Sequence, residues 1–169
     1  MTISKAREAA QEIFGKHQRH EVTFDLSGPE IMLLKEGAEA IKGTKAPKGS
    51  RLSEWAATIT STVQAVEAVD DKAEQHTCRM WDVGSLMKAA AHAYSEDGMT
   101  KPKGAYDLLI RLRDLPMTSP YYEAAQAAEE KINKLEREEA RLLKLKEAFQ
   151  REIFDINAQL SEWGGVNNG

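Results

Sequence analysis

Cysteine is almost absent: Cys78 stands alone among 169 residues, which excludes an intramolecular disulfide and any multi-cysteine zinc site. No apolar run approaches the roughly 20 residues needed to cross a bilayer. The opening Met1-Thr2-Ile3-Ser4-Lys5-Ala6-Arg7-Glu8 alternates charged and small residues, without an apolar segment and cleavage site behind it. Neither a secretory leader nor membrane contact is expected, and a reducing, cytoplasmic compartment is. Positive charge is not in excess. With 23 Lys and Arg against 27 Asp and Glu the net charge is −4, so no global field draws the chain to nucleic acid or anionic lipid. Gly-rich phosphate loops and nucleophilic serine motifs are missing, which leaves covalent catalysis without a candidate.

What the chain does have is helix. Apolar residues make up 41% and charged residues 30%, enough for a core and more charge than an ordinary domain needs, as suits long solvated helices. The pattern predicts an all-α protein, a compact bundle of about five helices over residues 1–118 followed by a long coiled-coil-like helix over 119–163 and a flexible tail over 164–169. Ala6, Ala9, Ala10, Ile13 and Phe14 mark a first helix capped at Ser4. Glu21 to Leu26 alternates as a short strand with no partner in sight. Ser27-Gly28-Pro29-Glu30 reads as a capping box with Pro at the first helical position, opening a helix whose stripe is Ile31, Leu34, Ala38 and Ile41. Leu52 to Trp81 keeps a three-four spacing and predicts one long core helix, with a break at Val83-Gly84-Ser85 and a shorter helix after it. Ala105 to Leu115 is a further helix closed by Pro116.

From Ser119-Pro120 no glycine or proline recurs until Gly164. Within this stretch Leu135, Leu142, Phe149, Ile156 and Trp163 recur every seven residues, and Ile132, Ile153 and Leu160 fill the other seam position of the same heptad. Glu139 and Lys146 occupy the remaining two seam positions, where polar residues weaken a dry interface and set register or orientation. Opposite charges one turn apart, such as Glu130 with Lys134 and Glu147 with Arg151, support the helix. Over forty residues at 1.5 Å each exceed the roughly 30 Å diameter of a small domain. Part of the helix is therefore expected to protrude, and its stripe to require a second copy of the chain.

Two constellations carry other chemistries. Glu36 with Glu39, and Glu67 with Asp70, place two carboxylate pairs on two helices, the oxygen donors that Mg²⁺ needs. This E-x-x-E, gap, E-x-x-D order, with Leu34-Lys35-Glu36-Gly37-Ala38-Glu39-Ala40-Ile41 as its first helix, resembles the all-α nucleoside-triphosphate pyrophosphohydrolases. The resemblance implies a Mg²⁺-dependent enzyme as the alternative reading, and no cofactor is expected otherwise. Lys42, Lys45, Lys48 and Arg51 in one loop, with Lys101 and Lys103 in another, form a candidate anion-binding edge, the basis of a nucleic-acid-binding alternative. His17 and His20 lie one turn apart but lack a nearby third ligand, and Cys78 and His76 point different ways around a helix.

The leading expectation is a non-enzymatic helical protein that pairs with itself through the C-terminal seam and binds another protein. Adaptors, assembly factors, inhibitors of larger machines and phage or viral accessory proteins share this character.

Overall fold

The computed structural model describes residues 2–95 and 103–167, and within them the chain is all-α apart from one small sheet. The order is α1 (Ile3–Arg19), β1 (Glu21–Asp25), α2 (Gly28–Lys42), α3 (Leu52–Glu67), β2 (Gln75–Arg79), α4 (Met80–Ser95), α5 (Lys103–Asp114), a 3-10 turn (Leu115–Thr118) and α6 (Tyr122–Asn167). The chain divides into two compact units, Glu12–Ala125 and Met1–Gln11 with Gln126–Gly169.

In the unit Glu12–Ala125, α4 is central, packing against α2, α3 and α5. Leu34, Leu86, Leu108 and Leu112 are fully buried there, and Val22 and Phe24 close the core from β1. The stripe of α2 falls where its spacing predicts, with Ile31, Leu34, Ala38 and Ile41 all buried. The start of α2 follows from its capping box: the Ser27 hydroxyl accepts from the Glu30 backbone N–H, and the Glu30 carboxylate accepts from the Ser27 N–H at 3.1 Å. Arg111 of α5 donates to the same carboxylate and to the Asp25 carbonyl, so one guanidinium ties α5 to the β1–α2 junction.

Glu30 is held below the usual carboxylate range. Partial desolvation pushes its pKa up, but the bonds from the Ser27 N–H, Arg111 and the Ser27 hydroxyl together outweigh it. A depressed folded pKa stabilises above the unfolded value and ceases to do so as pH falls through the folded one. Ser27→Ala is accordingly expected to cost about 1 kcal/mol at neutral pH. Thermal melts from pH 7 to pH 3 should show the gap between wild type and variant narrowing but not closing as Glu30 protonates, because only the hydroxyl–carboxylate bond titrates while the hydroxyl's bond from the Glu30 N–H does not.

Several local expectations give way. The helix predicted from Leu52 to Trp81 ends at Glu67, because Asp70 turns the chain: its carboxylate accepts from the Lys72 N–H at 2.9 Å, a local bond that competes with helix. Gln75–Arg79 is instead a strand, and it supplies the partner that β1 lacked, antiparallel from Glu21 opposite Arg79 to Asp25 opposite Gln75. The break expected at Val83-Gly84-Ser85 is absent; α4 runs through it, since Val83 and Ser85 are buried and Gly84 is on the exposed side. Ser119 does not cap α6. Its hydroxyl accepts from the Tyr121 N–H and bonds His17 Nδ1 at 2.9 Å, making a buried turn one step ahead of the helix. At the far end α6 continues through Gly164 and Gly165 to Asn167, past the glycines expected to open a tail; glycine lowers helix propensity by about 1 kcal/mol but raises no steric bar.

Candidate interaction surface

The 46 residues of α6 span about 70 Å. Its seam begins covered: Ala128, Ile132 and Leu135 are half-buried, and in the same unit Ala6 and Ala10, one turn apart on α1, are buried. An ion pair joins the two segments, Arg7 to Glu136 at 2.8 Å. The Arg7 pKa is raised: the hydrogen bond to Glu136, aided by the charges of Glu136 and Glu139, outweighs the desolvation that lowers it.

Beyond that pair the seam continues uncovered. Every residue from 136 to 164 is exposed, yet the same heptad positions stay apolar: Leu142 is 56% exposed, Phe149 60% and Trp163 72%, with Ile153, Ile156 and Leu160 between them. Leu143 and Leu145 widen the stripe near its middle. The stripe thus leaves the covered part of the helix in register and runs on for about 30 Å from Leu142 to Trp163. The seam Glu139 and Lys146 are exposed as well.

The carboxylate pairs do not converge. Glu39 and Glu67 line one groove between α2 and α3, but Glu36 and Asp70 do not, and Lys35 and Lys42 enter the groove between the acids. Lys42 Nζ bonds Glu39 at 2.7 Å, and its pKa is raised by that bond first and by the charges of Glu39 and Glu67 after it. Among the described residues no three His, Cys, Asp or Glu side chains are placed to hold one metal ion. Of the four carboxylates the pyrophosphohydrolase resemblance calls on, Glu39 is thus paired with Lys42 at the surface.

Of the anion-binding candidates, Lys42 is spent on Glu39, while Lys45, Lys48 and Arg51 are exposed around the α2–α3 loop. Lys101 and the Lys103 side chain lie outside the described residues. His17 is engaged by Ser119, and desolvation and the neighbouring His20 lower its pKa. Trp55 is half-buried and donates from Nε1 to the Thr44 carbonyl at 3.2 Å.

Periodicity alone did not reveal the groove of about 520 Å³ between α3 and β2, lined on the strand side by His76, Thr77, Cys78 and Arg79 and closed by Trp81. Desolvation pushes the Cys78 thiol up to about 11 and lowers His76. The alternation in Gln75-His76-Thr77-Cys78-Arg79 is the available signal, but the three-four spacing of Leu52 to Trp81 runs through it.

The fold and this surface define an all-α protein with one small antiparallel two-stranded sheet and an extended, uncovered apolar stripe. No protein-family model, curated protein or solved structure matches the chain. No helix among the described residues is long and apolar enough to cross a membrane.

Proposed function

We propose that the protein acts by binding and not by catalysis, pairing with a second copy of itself through α6 so that the assembled form presents its helical units to another protein. The observation that carries this reading is the continuation of one heptad seam, in register, from half-buried Ile132 and Leu135 into exposed Leu142, Phe149, Ile153, Ile156, Leu160 and Trp163. Apolar strips of that length are seldom left to water. A second α6 is the natural cover because its stripe has the same period and length.

Charge favours an antiparallel pair. In a parallel, in-register pair Glu139 faces Glu139 and Lys146 faces Lys146 within the seam. Reversing one helix to set Glu139 of one copy beside Lys146 of the other, twice, puts the midpoint between Leu142 and Leu143 and relieves those like-charge contacts. It also turns Ile153 to Trp163 toward the partner helix's residues 122–132, where the seam is already partly covered. Charge therefore favours the antiparallel pair, and cover of the whole exposed stripe the parallel one. Such a protein belongs with adaptors and assembly factors, and its single half-buried cysteine suits the cytoplasm.

Light scattering on the wild-type chain tests the proposal. At tens of micromolar the mass should be twice 18.8 kDa or a higher even multiple. A single-chain mass across that range overturns it.

A further inference from the structure

The β1–β2 ladder leaves one edge of the sheet open. Leu26 N–H donates to the Glu74 carbonyl at 3.0 Å and Met80 N–H to the His20 carbonyl at 2.9 Å, and these bonds fix the phase of the ladder. By the register, Val22 with Cys78 and Phe24 with His76 exchange backbone bonds, while Thr23 and Thr77 face each other at a position without them. The Thr77 hydroxyl meets that of Thr23 at 2.7 Å, but its backbone N–H and C=O point away from β1. No backbone group among the described residues bonds them. The other edge differs, since Arg111 already takes the Asp25 carbonyl there.

The open edge faces the groove of about 520 Å³ whose far wall is α3. Natural edges are usually guarded by charged side chains, proline or a bulge; Gln75–Arg79 has no proline or bulge, and its one charge, Arg79, stands at its end. We propose that the free edge of β2, with α3 as the opposite wall, takes an extended segment of a partner protein as a third strand, with uncharged, small or aliphatic side chains turned toward α3. Only an extended polypeptide supplies donors and acceptors at the two-residue repeat that this edge presents. Over the five residues of β2 the segment would pair along about 17 Å. Its side chains opposite His76 and Cys78 meet Ala65 and Ala68, which leave little depth and offer no charge. Desolvation disfavours the charged forms of the half-buried thiol and imidazole of that wall, and the α3 side is uncharged through Ser61, Gln64, Ala65 and Ala68. The groove's charges, Glu21, Arg79 and Asp82, gather at its Arg79 end, where Arg79 pairs with Asp82 at 3.7 Å. Trp81, 56% exposed at the end of the groove, offers a ring to the next residue along.

The test uses the full chain against a displayed library of random nonapeptides, with enriched sequences synthesised and titrated by fluorescence anisotropy. Binders should be uncharged at alternate positions, and N-methylation of every second peptide amide should abolish binding while methylation of the intervening amides leaves it. Thr77→Pro removes the outward N–H without touching the bonds to β1 and should weaken binding about tenfold. Ala68→Arg, at the exposed end of α3, should do the same by filling the groove while leaving the melting temperature unchanged, which keeps the outcome readable if the proline variant misfolds. A library that yields no such binder, or binders insensitive to Ala68→Arg and to the phase of N-methylation, overturns the proposal. Neither outcome bears on the seam of α6.

Discussion

Replacing both Leu142 and Phe149 with Asp is expected to reduce the protein to single chains of 18.8 kDa. Both side chains are more than half exposed in the single chain, so the substitutions cost its own folding little. In the paired state each would be buried. Burying a Leu or Phe contributes about 1.5–3 kcal/mol, so four such sites per dimer supply about 6–12 kcal/mol, and a charge in each place adds desolvation. That loss moves a micromolar dissociation constant to about 25 mM or weaker. Light scattering should therefore show one chain at any workable concentration, while circular dichroism keeps the helices of Glu12–Ala125. Lys144→Asp, on the side of α6 away from the stripe, is the control and should leave the mass unchanged. Orientation is read from a second pair of variants. In an antiparallel pair Glu139→Lys sets two lysines against each other and weakens association, and adding Lys146→Glu restores it. In a parallel pair Glu139→Lys exchanges one like-charge contact for another and changes little. An unaltered mass in the double Asp variant would remove α6 as the interface.

How far these features could be read from the chain depends on the range of the interactions that make them. The stripe Ile31, Leu34, Ala38 and Ile41, the capping box at Ser27 and the heptads of α6 are set by neighbours within one or two turns, and all three lie where the spacing puts them. β2 was not legible in the same way. Five residues cannot separate a strand from the end of a helix, and what makes Gln75–Arg79 a strand is β1, some fifty positions earlier. The carboxylate pairs failed for a related reason. Glu36 with Glu39 and Glu67 with Asp70 are each one turn apart, but sharing a cation requires two helices to turn the right faces inward, and the groove they form admits Lys35 and Lys42 instead. Ser119-Pro120 carried an ambiguous signal, since a serine before proline serves a turn as readily as a cap; the long-range bond to His17 decides it. The β2 groove is local in sequence, since all its lining residues but Glu21 fall between Ser61 and Asp82, but it exists only once β1 has made Gln75–Arg79 a strand, so it is no more legible than β2 itself.

Gly37→Ala is expected to destabilise the protein by about 3 kcal/mol, although alanine is the better helix former by about 1 kcal/mol. The reason lies where α2 crosses α4. A Cβ on Gly37 would stand 1.8 Å from the Ala89 carbonyl oxygen and 2.6 Å from its carbon, so it meets backbone and not a side chain that can swing aside. The two helices would have to part by more than an ångström. Leu34, Ile41, Leu86, Ala89 and Ala90 are all fully buried around this crossing, and each would lose contacts as it opened. For a chain of this size the cost corresponds to a fall in melting temperature of about 6–12 °C. Gly84 supplies the contrast. It lies inside α4 on the exposed side, and an added Cβ there meets nothing within 4 Å. Gly84→Ala should therefore gain a few tenths to 1 kcal/mol from helix propensity and the stiffer unfolded chain, and melt higher than wild type. Opposite signs from two helical glycines, measured by calorimetry under one set of conditions, would show that backbone approach at Gly37, not propensity, fixes the spacing of α2 and α4. If Gly37→Ala melts as high as Gly84→Ala, the helices do not cross this closely and the core is held by its larger side chains alone.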